Sequence, residues 1–234
     1  MSPSKFLRRH WHDIGLGSAA AAGACLLFGW DNFDVLQRLL ILNFIVVLLH
    51  QFEEYSWPGG FPAVANVVMV PLMGRSRYFK PLNQLSSAAA NLTFAYVFYL
   101  LPAFFPSTIW LGLATIIVGA ILQVIGHAIV VNYAIRSFYS PGVATAVLGW
   151  LPLGVVYVYY IHEKGLATGW EWLGAIAYMI VALTLIFYVI EQLIFGGDNP
   201  PYPFDQDEME RFHIPEKLEA AQRTRDGKKP SQQP

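Results

Sequence analysis

Four side chains in an otherwise apolar sequence carry the types and spacing for chemistry: His50, Glu53, Glu54 and His127. Helical residues three and four apart share a face. The run His50-Gln51-Phe52-Glu53-Glu54 therefore sets an imidazole and two carboxylates within reach of one another. Neutral imidazole and carboxylate oxygen suit zinc, iron or manganese, and a spare carboxylate can act as the base that activates water. The pattern nominates His50, Glu53, Glu54 and His127 as ligands of a divalent metal, zinc or alternatively iron. Glu54 doubles as general base. Carboxylates at a helix C-terminus oppose the helix dipole by roughly 0.3–1 kcal/mol and need compensation, which a metal, His127 or Arg136 could supply; Arg136 is nominated as a catalytic residue.

The elements that position these groups follow from composition. Of 234 residues 55% are hydrophobic and 13% charged, against roughly 25% charged in a soluble domain. A bilayer-spanning helix needs about 20 mostly apolar residues, and such runs fall near 14–30, 35–54, 85–105, 107–131, 142–161 and 170–195. The breaks are chemical: Asp31 and Asp34, Pro102 and Pro106, Ser140-Pro141-Gly142, and Glu163-Lys164-Gly165. The expectation is an all-α, polytopic bundle of about six transmembrane helices over residues 1–198, with a cytosolic, partly disordered tail over 199–234. Residues 61–74 are apolar but short and carry Pro62 and Pro71, which suits a cytoplasmic interfacial or re-entrant segment. The basic N-terminus followed by Ala19–Phe28 imitates a signal peptide; with five apolar segments downstream it reads as a span or signal anchor.

Lysine and arginine gather on the cytoplasmic side of short loops. With the N-terminus inside, Lys5, Arg8, Arg9, Arg75, Arg77, Lys80, Arg136, Arg211, Lys217, Arg223, Arg225, Lys228 and Lys229 are cytoplasmic, and of the 15 basic residues only Arg38 and Lys164 are not. This predicts an N-in, C-in chain. At about 1.5 Å of rise per residue, His50, Glu53, Glu54, His127 and Glu191 all lie roughly 22–31 Å from the outer ends of their spans. Three helices thus bring ionisable groups to one level near the cytoplasmic face, with Asn91 slightly deeper and Asn132 and Arg136 at the surface. Ionisable groups inside spans mark functional positions by default.

Other classes are excluded or set aside. A formal net charge of −1, without a long basic run, argues against nucleic-acid binding. Cys25 is the single cysteine, which removes intrachain disulfides and cysteine-based zinc sites. Each candidate also has a plain reading. Glu53 and Glu54 mark where a helix leaves the hydrocarbon, and lone histidines are hydrogen-bonded structural groups. Arg136, Tyr139, Pro141 and Gly142 turn the chain between two spans. Trp30, Trp57, Trp110, Trp150, Trp170 and Trp172 form interfacial belts.

His50-x-x-Glu53-Glu54 at the end of an early transmembrane helix resembles the signature of the HXXEE-motif family, multi-span bacterial proteins without an established biochemical function. A second block, Gln123-x-x-x-His127 and then Arg136, Tyr139, Pro141, Gly142, Thr145 and Ala146, resembles the family's later region. Together the two blocks cover about residues 40–155. Gln123 stands where the family pattern has an asparagine four residues before the histidine, and Val130 where it often has an amide three residues after it. The resemblance implies a membrane site built on His50, Glu53, Glu54 and His127, in a bacterial inner (cell) membrane, and implies no reaction. CAAX-type prenyl endopeptidases show similar chemistry, with adjacent glutamates and histidines on cytoplasmic-facing helices, but not a similar sequence.

These readings lead to an expected function. It is a membrane-embedded, metal-dependent enzyme, with hydrolysis favoured, acting on a lipid or lipidated substrate from the cytoplasmic side. The alternatives are a diiron oxidoreductase, a proton-coupled transporter and a non-catalytic membrane subunit.

Overall fold

The computed structural model describes residues 2–72, 74, 82–197 and 199–225. Arg75, Arg77, Lys80, Lys228 and Lys229, which contribute to the predicted orientation, lie outside them. In chain order the helices are α1 (Pro3–Phe28), α2 (Val35–Tyr55), α3 (Phe61–Leu72), α4 (Gln84–Phe104), α5 (Ile109–Ile135), α6 (Thr145–Glu163), α7 (Gly169–Ile194), and two short ones, α8 (Gln206–Met209) and α9 (Ile214–Arg225). Among the described residues none forms a strand. Five helices, α2 and α4 to α7, are long and apolar enough to cross a bilayer, so this is a helical membrane protein. The first expected span differs in kind: Lys5, Arg8, Arg9 and Asp13 charge the first half of α1. It nevertheless runs antiparallel along α2, with Gly15 beside Leu48 and Asp13 accepting a hydrogen bond of 2.6 Å from Ser56 past the far end of α2.

Polar side chains start these helices by satisfying backbone N–H groups that have no partner within the helix. Asp34 accepts from Gln37 N at the head of α2, and Asn83 accepts from Leu85 N and Ser86 N at the head of α4. Glu171, on α7, accepts at 2.8 Å from Trp110 N at the head of α5.

α2 is the central element, with Leu40, Val47 and Leu48 almost wholly buried. In a bilayer, helix association rests on close packing and interhelical hydrogen bonds, and both are present here. A Cβ at Gly119 would come as close as 2.5 Å to the Trp150 indole, so glycine on α5 lets α6 seat that ring in the core. Trp150 then donates to Asn43 Oδ1 at 2.9 Å, and Asn43 donates to Thr115 at 2.8 Å; bonds of this kind are worth about 0.6 kcal/mol each in membrane proteins. The belt reading of Trp150 is thereby corrected: it is fully buried, whereas Trp30, Trp57 and Trp170 are exposed. It lies midway along the expected 142–161 run rather than at an end, and Gly119 of α5 leaves room for the ring.

Two features close one end of the bundle. The short helix α3 buries Ala63, Val64, Val68 and Val70. Against it lie Val131, Ala134 and Ile135 of α5 and Ile214 of α9. The segment after residue 199 folds back over this end. Asp205 and Asp207 pair with Arg9 at 2.7 and 2.6 Å, and Lys5 joins Asp205 at 3.2 Å. The described N-terminal and C-terminal segments therefore meet on the same side of the protein.

Candidate metal centre

Glu54 occupies the last turn of α2, and His50 lies one turn before it on the same face, as the i, i+4 spacing requires. His127 arrives from α5, inside a stretch of widened helical turns over Ile125–Val131. The three side chains are buried. His50 Nε2 is 3.4 Å and His127 Nε2 is 3.3 Å from the same oxygen, Glu54 Oε1. All three ligand atoms lie within 4.8 Å of one another. Bonds of about 2.0–2.1 Å to a tetrahedral ion separate neighbouring ligand atoms by about 3.3 Å, so the two measured separations suit a shared cation. They suit hydrogen bonding less well: His50 Nε2 is buried and has no hydrogen-bond partner. An imidazole nitrogen left unpaired in a membrane core is costly, and a metal ion would satisfy it.

The other ring nitrogen of His50 is engaged. Nδ1 is 2.8 Å from Thr145 Oγ1 at the head of α6. Thr145 Oγ1 in turn donates to Glu53 Oε2 at 2.6 Å. Glu53 also accepts from Thr145 N at 2.8 Å, from Ala144 N at 3.0 Å and from the Tyr139 hydroxyl at 2.7 Å. Its carboxylate caps the α6 N-terminus, where free N–H groups and the helix dipole favour an anion. The structure thus brings His50, Glu54 and His127 together and turns Glu53 away from them, toward the second layer that orients His50. Adjacent residues on a helix differ by about 100° in direction, so Glu53 and Glu54 cannot share one target. Burial and the Glu53 carboxylate push the Tyr139 phenol well above its ordinary pKa, which keeps it a donor.

Gly142 completes the wall. Its φ of +97° is a left-handed conformation open to glycine, and a Cβ there would lie 2.6 Å from His127 Cε1 and 2.8 Å from His50 Cε1. Trp150 covers the remaining side, its ring centroid 4.6 Å from that of His50.

Glu54 and His50 form the floor of a cavity of about 210 Å³ between α2, α3, α4 and α7. Its walls are mainly apolar, with Val47, Phe61, Met69, Phe94 and Phe187 among them. Glu191 reaches the same cavity from α7 and is buried there, and Asn91 and Gln123 also line it. Asn91 donates to Ser87 O and the Tyr55 hydroxyl and is fixed by its neighbours. The two groups expected at the surface past His127 lie elsewhere. Asn132 donates to Phe138 O and supports a turn. Arg136 ends α5 with a φ of +50°, and its exposed side chain lines a separate surface hollow with Tyr133, Phe138 and Arg225. The left-handed turn carries it off the line of α5, so it does not compensate the carboxylates. Arg211 is the cation at the foot of α2, but it meets backbone rather than the carboxylates, donating from Nη1 to Tyr55 O at 2.6 Å and Ser56 O at 3.2 Å.

Sequence reasoning assigned Thr145 and Tyr139 no chemical part and used Arg211 only as one of the basic residues that set the orientation. The signal available for the first two was their closeness to the turn at Pro141-Gly142; for Arg211 at the foot of α2 there was none, since the partners that hold it there are backbone carbonyls.

Fold and site define a class: a polytopic helical membrane protein with a buried histidine and carboxylate cluster, able to hold a metal, at one end of its bundle. Residues 41–157 match the family described as "Protein of unknown function with HXXEE motif", and the chain belongs to that family. The match spans both walls of the site, from α2 through Thr145. No curated protein and no solved structure matches the chain.

Proposed function

We propose that this protein is a membrane-embedded, metal-dependent hydrolase that acts on the polar end of a lipid or lipidated substrate. The observation that carries the reading is the convergence of His50 Nε2 and His127 Nε2 on one oxygen of Glu54, in a buried site with an unpaired imidazole nitrogen. Two histidines and one carboxylate are a ligand set of catalytic zinc, which keeps a further position for water. The same set with open positions suits iron(II). Zinc is the ion proposed.

Within this reading Glu54 is a ligand, and the base role passes to Glu191, which faces the cavity from the opposite helix. A divalent ion supplies Lewis acidity. Glu191 accepts a proton from the attacking water and returns it to the leaving group, so that one bond of the substrate is replaced by one to the water oxygen. A cavity of about 210 Å³ is smaller than pockets that enclose a drug-sized ligand, roughly 300–1,000 Å³. It fits the reacting end of an amphiphile whose chain stays in the bilayer. The basic residues on the side where the chain ends meet support a cytoplasmic location for that side. On this reading α1 is a sixth crossing and the membrane is a bacterial inner membrane. A transporter would need a polar route to the opposite face, but toward that face the core continues through Phe44, Leu40 and Leu113, and its buried polar groups among the described residues are uncharged: the Asn43–Thr115–Trp150 group and the Tyr99 and Tyr157 hydroxyls.

The test is metal content by mass spectrometry on detergent-purified protein kept from chelators. Near-stoichiometric zinc is expected in the wild type and in Glu53→Gln, and loss is expected in His50→Ala and Glu54→Gln. A well-folded wild type without metal above background overturns the proposal, and stoichiometric iron replaces hydrolysis with oxidation. With zinc in place, hydrolysis of a long-chain ester in mixed micelles is expected to disappear in Glu191→Gln while its zinc remains.

A further inference from the structure

The segment from Asp205 to Arg225 touches most of the elements that carry the site. Its acidic start is paired with Arg9 of α1, and Glu208 accepts from Gln84 Nε2 at the head of α4 at 2.7 Å. Arg211 holds the last carbonyls of α2, one residue from Glu54. Phe212 lies edge-on to Tyr139, with centroids 5.3 Å apart and planes at 68°. Ile214 is fully buried among α3 and α5 residues.

The docking is intimate on both sides. The segment's chain turns through two consecutive non-glycine residues in left-handed conformation, Phe212 at φ +60° and His213 at φ +51°. Such residues persist only where the surroundings hold them. What holds them is the turn after α2: a Cβ on Gly60 would lie 2.6 Å from Arg211 O and 3.2 Å from Phe212 Cβ. Gly59 N is in turn bonded to Glu53 O at 3.1 Å. On the far side the Lys217 ammonium sits 3.2 Å from the centre of the Phe212 ring.

An unbroken series of contacts leads inward from that ring. Phe212 packs on Tyr139, Tyr139 donates to Glu53, Glu53 accepts from Thr145, and Thr145 meets His50 Nδ1. Groups that hold the far nitrogen of a histidine ligand set its ring direction, and their loss commonly weakens metal binding by about 10–100-fold. We propose that the 205–225 segment is a positioning element of the metal centre, with Phe212 fixing Tyr139, and through it the His50 imidazole, and Arg211 fixing the foot of α2 that carries Glu54. The inference rests on the metal reading given above.

It is tested on the full-length protein in detergent by cobalt(II) titration, read as visible absorption and by competition with a chelator. Phe212→Ala is expected to weaken cobalt binding about 10-fold or more and to change the absorption band. Tyr139→Phe, which keeps the ring and removes the donor, is expected to do the same, while Phe212→Tyr restores the wild-type band. Phe212→Leu is measured alongside so that a poorly folding alanine variant does not decide the matter. Arg225→Ala serves as control, because the contacts of Arg225 among the described residues are with the end of α5, at Tyr133 O and Ala134 O and over the Tyr133 ring, away from Phe212 and Tyr139; it should leave band and affinity unchanged. Wild-type band and affinity in both Phe212→Ala and Phe212→Leu overturn the proposal. If the wild type binds no cobalt, the metal reading fails by itself. Hydrogen exchange over residues 139–146 then decides the positioning role, with faster exchange in Phe212→Leu supporting it and unchanged exchange ending it.

Discussion

The last turn of α2 presents two consecutive carboxylates to opposite surroundings. Glu53 accepts four hydrogen bonds, two of them from the backbone at the head of α6. Glu54 faces two imidazoles across 3.3–3.4 Å and the floor of a cavity. Saturation on one side and open ligand capacity on the other separate two jobs that look identical in the sequence. A carboxylate whose lone pairs are all taken by donors stabilises structure, whereas one that shares an oxygen with two histidines is available to a cation. The contrast also explains why the two walls belong together, since Thr145 touches both Glu53 and His50.

The sharpest way to break this contrast is at Gly142, which adjoins both imidazoles. Gly142→Ala places a methyl group where the two rings pack and strains a φ of +97°. Overpacking costs about 1–3 kcal/mol and the backbone strain a further 1–3 kcal/mol or so. The expected outcome is a large fall in thermal midpoint together with lost zinc; an unchanged midpoint would mean the rings are not held as described.

Exchanging the two glutamates one at a time comes next. Glu53→Gln replaces two acceptor oxygens by one and sets an amide against backbone donors, at a cost of about 1–3 kcal/mol. Its thermal midpoint should drop while zinc stays bound at full load, with an affinity weakened about 10-fold because Glu53 steadies Thr145 and through it His50. Glu54→Gln should show the reverse, zinc lost with the smaller change in midpoint. If both variants behave alike in both assays, the division of labour is wrong.

Thr145→Val is predicted to lower zinc affinity about 10–100-fold by freeing His50 Nδ1, measured by chelator competition, with a modest stability change. The smallest effect on the metal is expected at Trp150→Phe. It keeps an aromatic wall but removes the bond to Asn43 and leaves a gap beside Gly119, at a cost of about 1–3 kcal/mol. The thermal midpoint should fall while zinc content is untouched.

The limits of the linear sequence show at particular residues. The His50 and Glu54 pairing was legible because a helix fixes i, i+4 neighbours locally. His127 was legible by depth, since apolar span lengths set the level of each group in the bilayer. Glu53 was assigned to the wrong face because an i, i+3 reading allows it, and only the position of the α6 N-terminus says which way it turns. Arg136 was chosen for its charge and its place after His127, and a left-handed residue at the end of α5 takes it away. Trp150 looked interfacial because nothing in its own surroundings in the chain announces the space left by Gly119.

The sequence by itself determined that the chain is a helical membrane protein, where its apolar helices run, and which histidines and glutamates lie at one level. Those properties depend on composition, helical periodicity and the thickness of the bilayer, all of which act along the chain. Tertiary structure alone decided that Glu54 meets His127, that Glu53 caps α6, that Glu191 enters the same cavity, and that Arg211 and Phe212 close over the foot of α2. Each of these depends on the rotation of one helix about its axis against another. Rotation is set by side-chain packing between segments far apart in the chain, and no local pattern encodes it.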